Sequence, residues 1–137
     1  MSMTWISCVQ STAVSFTAFM NKRKLGNEKE IAAYAFLETE GYRILEHNFF
    51  CRAGEIDIIA KDGNTLCFIE VKYRKDMGQG GAAAAVTYSK QRAISKVAMF
   101  YLMKRGMSAD TAVRFDVVTI DGESYNIIKN AFDYCYR

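Results

Sequence analysis

Proline is absent from this chain of 137 residues, and no apolar run reaches the length of about 20 residues that crosses a bilayer. The absence of proline excludes proline-rich linkers and polyproline ligands. The absence of a long apolar run predicts a chain that does not span a membrane. Half of the residues are apolar and 13% are aromatic, which is enough to bury a core. We therefore expect an ordinary globular protein of about one domain.

Disulfide and zinc patterns are missing too. The four cysteines lie at positions 8, 51, 67 and 135 without any C-x-x-C pair, and His47 is the only histidine. A chain of this length does not need disulfide staples, and one histidine does not complete a local Cys/His zinc signature. We expect reduced thiols and a cytoplasmic location.

Acidic residues are missing from one long segment. The net charge is only +3, but residues 77–109 contain neither Asp nor Glu. The basic residues of this segment are Lys90, Arg92, Lys96, Lys104 and Arg105. Such a segment fits either a solvated helix face or a surface that contacts phosphates, and the charges alone do not separate the two.

Residues 1–19 contain no charged residue at all, and Lys22, Arg23 and Lys24 follow shortly afterwards. A secretory signal carries its positive charge before the apolar region, not after it. We therefore expect residues 1–19 to be a non-core N-terminal extension, with Met20 as the natural start. Residues 20–137 are expected to form a single domain.

The hydrophobic pattern switches between helical and strand periods along the chain. Apolar residues recur at helical spacing in residues 27–40 and 88–104, and the second segment carries a clear amphipathic stripe. Strands are predicted at residues 42–50, 54–60, 65–73, 113–120 and, as a short partner, 125–129. A turn signal at 62–64 predicts that 54–73 is a hairpin. The order α-β-β-β-α-β predicts an α/β fold with a central mixed β-sheet flanked by helices.

Charged side chains interrupt two of these apolar strands. Asp57 lies between two isoleucines, and Glu70 and Lys72 lie in the segment F-I-E-V-K. Because side chains alternate along a strand, Glu70 and Lys72 point to the same face, about 6.6 Å apart along the strand. Unpaired buried charges are costly. Two carboxylates and a lysine on neighbouring strands are therefore explained if they share a site and a cation.

This set of residues suits phosphodiester hydrolysis. Asp57, Glu70 and the main-chain carbonyl of Val71 offer hard oxygen ligands to Mg²⁺, which polarises a phosphate and lowers the pKa of a bound water. Lys72 is suited to orient or deprotonate that water, or to neutralise charge on the phosphate. Glu30, one helix away, is a candidate for a further ligand. The spacing alone also fits a glutamate and a lysine that pair on a solvent face.

Six short motifs follow one another along the chain: N-K-R-K-L-G at 21–26, G-Y-R-I-L at 41–45, G-E-I-D-I-I-A at 54–60, F-I-E-V-K-Y-R at 68–74, R-F-D-V-V at 114–118 and N-A-F at 130–132. In these motifs the chain closely resembles the YraN-like family of bacterial proteins, which is assigned to the PD-(D/E)xK nuclease superfamily. The resemblance covers about residues 20–133. It implies a restriction-endonuclease-like core, similar to that of archaeal Holliday-junction resolvases.

The resemblance also implies roles for individual residues. Asp57 matches the metal-binding aspartate of the family, and Glu70 with Lys72 matches its E-x-K pair. Lys90 matches a lysine at the start of the second helix and is a candidate phosphate contact.

The chain departs from the family pattern in two places. Glu30 matches the glutamate of the first helix, but Lys29 stands where the family usually has glycine, so Glu28 is a rival for the same role. The glycine-rich segment at 77–81 stands where the family usually has a Phe-Gly-x-Ala-like loop.

The leading hypothesis is an endonuclease that requires Mg²⁺ or Mn²⁺ and hydrolyses DNA, either branched or single-stranded. Its predicted nucleic-acid contacts are Lys90, Arg92, Lys96, Arg74 and Lys75. The alternative is a non-catalytic nucleic-acid-binding module that keeps a nuclease fold. The sequence contains no base-reading code that separates DNA from RNA. It also leaves a homodimer open, because no definite interface is evident.

Overall fold

The structure, a computed structural model, describes residues 26–76 and 86–135. The predictions for residues 1–19, for Met20 as the natural start and for the glycine-rich segment at 77–81 lie outside the described residues. The chain divides into two compact units, Met1–Ala32 and Ala33–Arg137. All strands described below belong to the second unit, and the single domain expected over residues 20–137 stays a prediction.

The described residues form two helices, a short 3-10 helix and five strands. The helices are α1 (Gly26–Thr39) and α2 (Tyr88–Lys104), and the 3-10 helix covers Arg74–Asp76. The strands are β1 (Arg43–Cys51), β2 (Gly54–Asp62), β3 (Thr65–Tyr73), β4 (Val113–Asp121) and β5 (Ser124–Phe132). Within these residues, neither helix has the length and apolar character that a bilayer crossing requires. The predicted elements are all present, and β5 is longer than expected.

The five strands form one mixed sheet in the order β1-β2-β3-β4-β5. β3 and β4 are parallel, and every other neighbouring pair is antiparallel. A parallel pair needs a long crossover between its strands, and α2 lies in that connection. The predicted α/β fold with a mixed sheet is therefore confirmed, and it is consistent with a restriction-endonuclease-like core.

α2 covers the main core on one face of the sheet. Val97 and Tyr101 of α2 belong to the same buried cluster as Phe68 of β3 and Phe115 of β4. The rings of Phe68 and Tyr101 meet edge to face with 5.8 Å between centroids, an arrangement that aromatic pairs favour. The stripe predicted for residues 88–104 is thus the side that α2 buries, and its opposite side is exposed.

The end of α1 contacts both edge strands of the sheet. The ring of Tyr34 lies 5.5 Å from that of His47 in β1, and the ring of Phe36 stacks at 5.4 Å on Tyr125 in β5. Leu37, between them, is fully buried. These contacts fix residues 33–39 of α1 against the sheet.

A buried carboxylate in β4 is fully paired. Asp116 accepts hydrogen bonds from the Arg114 guanidinium at 2.8 Å, from the Tyr42 hydroxyl at 2.9 Å and from the Asn130 main-chain N–H at 2.9 Å. Arg114 also pairs with Asp62 at 2.8 Å. A buried charge with this many partners stabilises the packing around it.

Gly54 lies where α2 packs against the start of β2. Its φ of 149° lies in a region that side chains avoid, so glycine is required by the backbone conformation. A Cβ there would make an ordinary contact with Ala93 of α2, at 3.4 Å from its Cβ. Asp57 follows three residues later, so this contact positions the strand that carries the candidate ligand.

Candidate metal centre and active site

The main-chain pairing between β2 and β3 ends next to Asp57. Their ladder of main-chain pairs ends at Ile58 and Ile69. Directly beyond that pair, Oδ2 of Asp57 accepts a hydrogen bond from the main-chain N–H of Val71 at 2.8 Å. The carboxylate thus takes the place of a main-chain acceptor, and this bond holds it beside β3.

Glu70 lies in the middle of the sheet and is only 5% exposed. Its Oε1 faces two ammonium groups, with Nζ of Lys72 at 3.4 Å and Nζ of Lys90 at 3.7 Å. Its Oε2 is buried and has no hydrogen-bond partner among the described residues. Most buried polar atoms are paired, so Oε2 is an atom that a bound cation, or a proton shared with Asp57, would satisfy.

The two carboxylates disfavour each other's charge. Burial and the neighbouring Glu70 raise the pKa of Asp57 to about 7, against the opposing effects of the Val71 N–H and of Lys90. A cation placed between two such carboxylates removes their repulsion and favours the charged form of both. A buried acidic pair with a raised pKa is typical of functional sites.

The donors present fit Mg²⁺ or Mn²⁺ held with much of its water. Mg²⁺ usually binds one or two carboxylates and keeps several water ligands, and Asp57 and Glu70 supply two. In the part of the chain that the structure describes, no three His, Cys, Asp or Glu side chains are grouped so as to hold an ion. Asp57 and Glu70 are therefore the described carboxylates that would hold such an ion, and the Val71 carbonyl and Glu30 stay predicted further donors.

Lys72 lies on the same face of β3 as Glu70, as strand alternation predicted. The Lys72 side chain is 22% exposed, whereas that of Glu70 is 6% exposed. The Lys72 side chain is therefore closer to solvent than the carboxylate with which it pairs.

These residues fall within a segment that the chain shares with a known family. The model of the family described as "Uncharacterised protein family UPF0102" matches residues 29–120. This chain belongs to the UPF0102 family. The match confirms the resemblance to YraN-like proteins that the six motifs indicated. Asp57, Glu70, Lys72 and Lys90 all lie inside the matched segment.

Individual relatives match most of this UPF0102 chain. A UPF0102 protein of Lachnoclostridium phytofermentans is 45% identical over 114 residues, which cover 83% of this chain and 97% of the relative. A UPF0102 protein of Geobacter sulfurreducens is 47% identical over 117 residues, which cover 82% and 91% respectively. One from Caldicellulosiruptor saccharolyticus is 45% identical over 119 residues and is covered completely.

The first-helix glutamate of this UPF0102 protein stays a prediction. Glu30 lies early in α1, in the unit Met1–Ala32, whereas Asp57 and Glu70 belong to the unit Ala33–Arg137. Glu30 is therefore kept as a predicted metal ligand, with Glu28 as the alternative.

The predicted nucleic-acid contacts on α2 divide into two kinds. Lys90 is half-exposed and has its ammonium group 3.7 Å from Glu70. Arg92 and Lys96 are exposed and lie further along the helix. Lys90 therefore belongs to the carboxylate site, whereas Arg92 and Lys96 are presented to solvent.

The other two predicted contacts lie in the 3-10 helix after β3. Arg74 forms an exposed ion pair with Asp121 of β4 at 2.7 Å, so its charge is already partly neutralised. Lys75 is exposed. A phosphate at this edge must compete with Asp121 for Arg74.

Two contacts of the UPF0102 site were not predicted from the sequence. The first is the hydrogen bond from Val71 to Asp57. The second is the approach of Lys90 to Glu70, because Lys90 was expected to contact phosphate only. The hydroxyl of Thr87 caps α2 by accepting from the Lys90 N–H at 3.2 Å, which fixes where the helix starts. Thr87 is the sequence signal that could have indicated where α2 starts, since Ser and Thr favour the N-cap position of a helix.

Proposed function

We propose that this protein is a metal-dependent nuclease that hydrolyses phosphodiester bonds of DNA, branched or single-stranded. The observation that carries the proposal is the buried Oε2 of Glu70, which lacks a hydrogen-bond partner among the described residues and belongs to the same acidic pair as Asp57. Lys72 adds a positive charge at the solvent side of the pair. Two hard carboxylates with an adjacent lysine suit the hydrolysis of a phosphodiester.

Asp57 and Glu70 are the residues that would hold Mg²⁺ or Mn²⁺. Such an ion, when bound, stabilises charge on the phosphate and makes water a better nucleophile at neutral pH. The N–H of Val71 orients the Asp57 carboxylate through Oδ2. The protein thus presents its two ligands from β2 and β3 in fixed positions, which reduces the reorganisation needed at the moment of reaction.

Lys72 and Lys90 have different roles in this proposal. The Lys72 ammonium stabilises negative charge that develops on the phosphate, or orients the attacking water. To do so it moves away from Oε1 of Glu70, now at 3.4 Å. Lys90, at 3.7 Å from the same oxygen, stays to neutralise the carboxylate.

The proposal is tested by incubating the purified protein with single-stranded DNA, a four-way junction, plasmid DNA and RNA. Each substrate is tested in Mg²⁺, in Mn²⁺ and in EDTA. We expect cation-dependent cutting of DNA that Glu70→Gln abolishes. The matched control is Glu123→Gln, which changes an exposed glutamate in the β4–β5 turn and retains activity. Equal cutting by the wild type and Glu70→Gln contradicts the proposal, and so does cutting of RNA alone.

A second candidate function is a DNA-binding module without catalysis. One observation favours it: the ammonium groups of Lys72 and Lys90 face Oε1 of Glu70 and can balance its charge. Such a module binds DNA equally well in EDTA and in Mg²⁺, loses affinity steeply as salt rises and cuts no substrate. Cation-dependent cleavage that requires Glu70 rules this candidate out.

A further inference from the structure

The exposed side of α2 has no part in the chemistry proposed above. This surface, the α2 outer face, consists of Tyr88, Arg92, Lys96, Met99, Phe100 and Met103. Its four large apolar side chains are 41% to 75% exposed. Apolar side chains that lie together on a surface and have charged neighbours mark interaction sites.

We propose that the α2 outer face binds single-stranded DNA next to the phosphate that is cut. Arg92 and Lys96 contact the DNA backbone, and the ring of Phe100 stacks on a base. This inference rests on the proposed nuclease function and names the kind of substrate that the same site receives.

The first turn of α2 lies beside the acidic pair. Lys90, in the first turn of α2, reaches Glu70, and Phe100 lies ten residues further along the same helix, about 15 Å by the rise per residue. A strand that leaves the cleavage site along α2 therefore passes the basic residues first and the aromatic ring afterwards. The smallest single-strand sites hold about four nucleotides, a length that suits this short path.

The charges of the α2 outer face are complementary to DNA. Arg92, Lys96 and Phe100 are spaced four residues apart and so form one row along the helix. Neither Arg92 nor Lys96 forms an ion pair with another described residue. Residues 77–109 also lack acidic side chains, so no carboxylate of this segment repels the phosphates.

Phe100 is held in place before any ligand arrives. Its ring lies 6.3 Å from that of Phe49 in β1, and Phe49 meets Tyr101 edge to face at 5.2 Å. One side of the Phe100 ring is thus supported by the core, while 41% of the residue is exposed. A supported ring loses little conformational freedom when it stacks on a base, which favours binding.

A single strand fits these residues better than a duplex. In a duplex the faces of the bases are stacked on one another, so the ring of Phe100 would meet sugar, phosphate and base edges but no open base face. Proteins that bind single strands combine basic residues along the backbone with aromatic rings for the bases. The mixture of basic and apolar residues on the α2 outer face has this character.

The test is fluorescence anisotropy with labelled oligo-dT and with a duplex of equal length. The full-length protein is used in EDTA, so that no cleavage occurs. Phe100→Ala is expected to weaken binding to the single strand about 5- to 150-fold, the effect of losing one base stack. Phe100→Trp keeps the affinity, which shows that the ring and not the fold is responsible. The matched control is Phe50→Ala, because Phe50 is 69% exposed but lies on β1, and this variant binds like the wild type.

A second variant tests the phosphate contact. Lys96→Gln is expected to reduce the slope of log affinity against log salt by about 0.7, the contribution of one phosphate contact on a single strand. An unchanged slope counts against the contact, and tighter binding to duplex than to single strand overturns the inference. Equal affinities of Phe100→Ala and Phe50→Ala also overturn it. Self-association that Phe100→Ala abolishes, without DNA binding, assigns the surface to a protein partner instead.

These results are distinguishable from a failure of the nuclease proposal. If Glu70→Gln loses cation-dependent cutting while Phe100→Ala binds normally, the nuclease stands and the inference falls. If the wild type cuts nothing but binds single strands through Phe100, the inference about the α2 outer face stands and the nuclease proposal falls.

Discussion

The main-chain N–H of Val71 donates a hydrogen bond to Oδ2 of Asp57 at the point where β2 and β3 separate. One bond therefore serves the sheet, by satisfying a main-chain donor, and the candidate site, by holding a carboxylate near Glu70. Substitutions at Asp57 affect both. Asparagine keeps an acceptor for the Val71 N–H and removes only the charge, so Asp57→Asn is the informative variant.

The raised pKa of Asp57 is expected to make the metal-free protein less stable as the pH rises. The folded protein keeps this proton up to about pH 7, whereas the unfolded chain releases it near the ordinary pKa of about 4. The stabilisation that this retained proton gives the folded protein is therefore complete below about pH 4 and is lost as the pH rises through 7. Asp57→Asn removes this loss and should raise the free energy of unfolding at pH 8 by about 1–3 kcal/mol.

Urea unfolding in EDTA at several pH values between 4 and 8.5 measures this difference. Asp110→Asn, which changes an exposed aspartate, is the control and should follow the wild type throughout. If the free energies of unfolding of Asp57→Asn and of the wild type change with pH in the same way, the pKa of Asp57 is not raised in the folded protein.

Binding of Mg²⁺ or Mn²⁺ is expected to displace a proton. At pH 6 most of Asp57 is protonated because its pKa is about 7, and a ligand must be deprotonated to bind a metal. Calorimetric titration in two buffers of different ionisation enthalpy should show proton release at pH 6 and almost none at pH 8.5. Glu70→Gln should bind the cation weakly at both pH values, and undiminished binding by that variant refutes the ligand assignment.

Local patterns predicted those parts of the site that depend on a single element. Glu70 and Lys72 share a face because strand alternation is set by the strand alone. The buried stripe of α2 was predicted because its helical spacing is independent of its neighbours. The bond between Val71 and Asp57 depends on where two strands part, and the approach of Lys90 depends on how α2 packs. The first leaves no local pattern in the sequence, and for the second the sequence offers only the Thr87 cap, which marks where α2 starts.

The length of β5 was also not predictable from local sequence patterns. Only residues 125–129 have the character of a strand, but the structure extends β5 over Ser124–Phe132. β5 is an edge strand, and its exposed positions carry polar residues such as Asn126 and Lys129. A strand with one solvated face tolerates these residues, so the sequence under-predicts it.

Two arginine–aspartate pairs that involve β4 should differ sharply in their effect on stability. Arg114→Leu leaves the fully buried Asp116 carboxylate without its cation, and breaking such a pair costs about 3–5 kcal/mol. Arg74→Leu breaks the exposed pair with Asp121, which should cost less than about 1 kcal/mol. Urea unfolding at pH 7 compares the two variants. Equal losses would contradict the structural role assigned to Asp116.

Gly54→Ala should destabilise the protein and disturb the start of β2. Alanine is strained at the φ of 149° and brings its Cβ to 3.4 Å from Ala93, so we expect a cost of about 1–3 kcal/mol. The control is Gly63→Asn, because Gly63 has a φ of 62° and open space around it, and asparagine tolerates that conformation. Thermal unfolding compares the two variants, and an unchanged melting temperature for Gly54→Ala refutes the backbone strain expected at this position.

The central claim is that Asp57 and Glu70 form the cation site of a DNA-cutting enzyme. The most direct test is the single-turnover rate of DNA cleavage in Mg²⁺ by the wild type, Asp57→Asn and Asp110→Asn. We expect cation-dependent cleavage by the wild type and by Asp110→Asn, and a rate at least about 100-fold lower for Asp57→Asn, with single-strand affinity in EDTA unchanged. Cleavage by Asp57→Asn at the wild-type rate would contradict the claim.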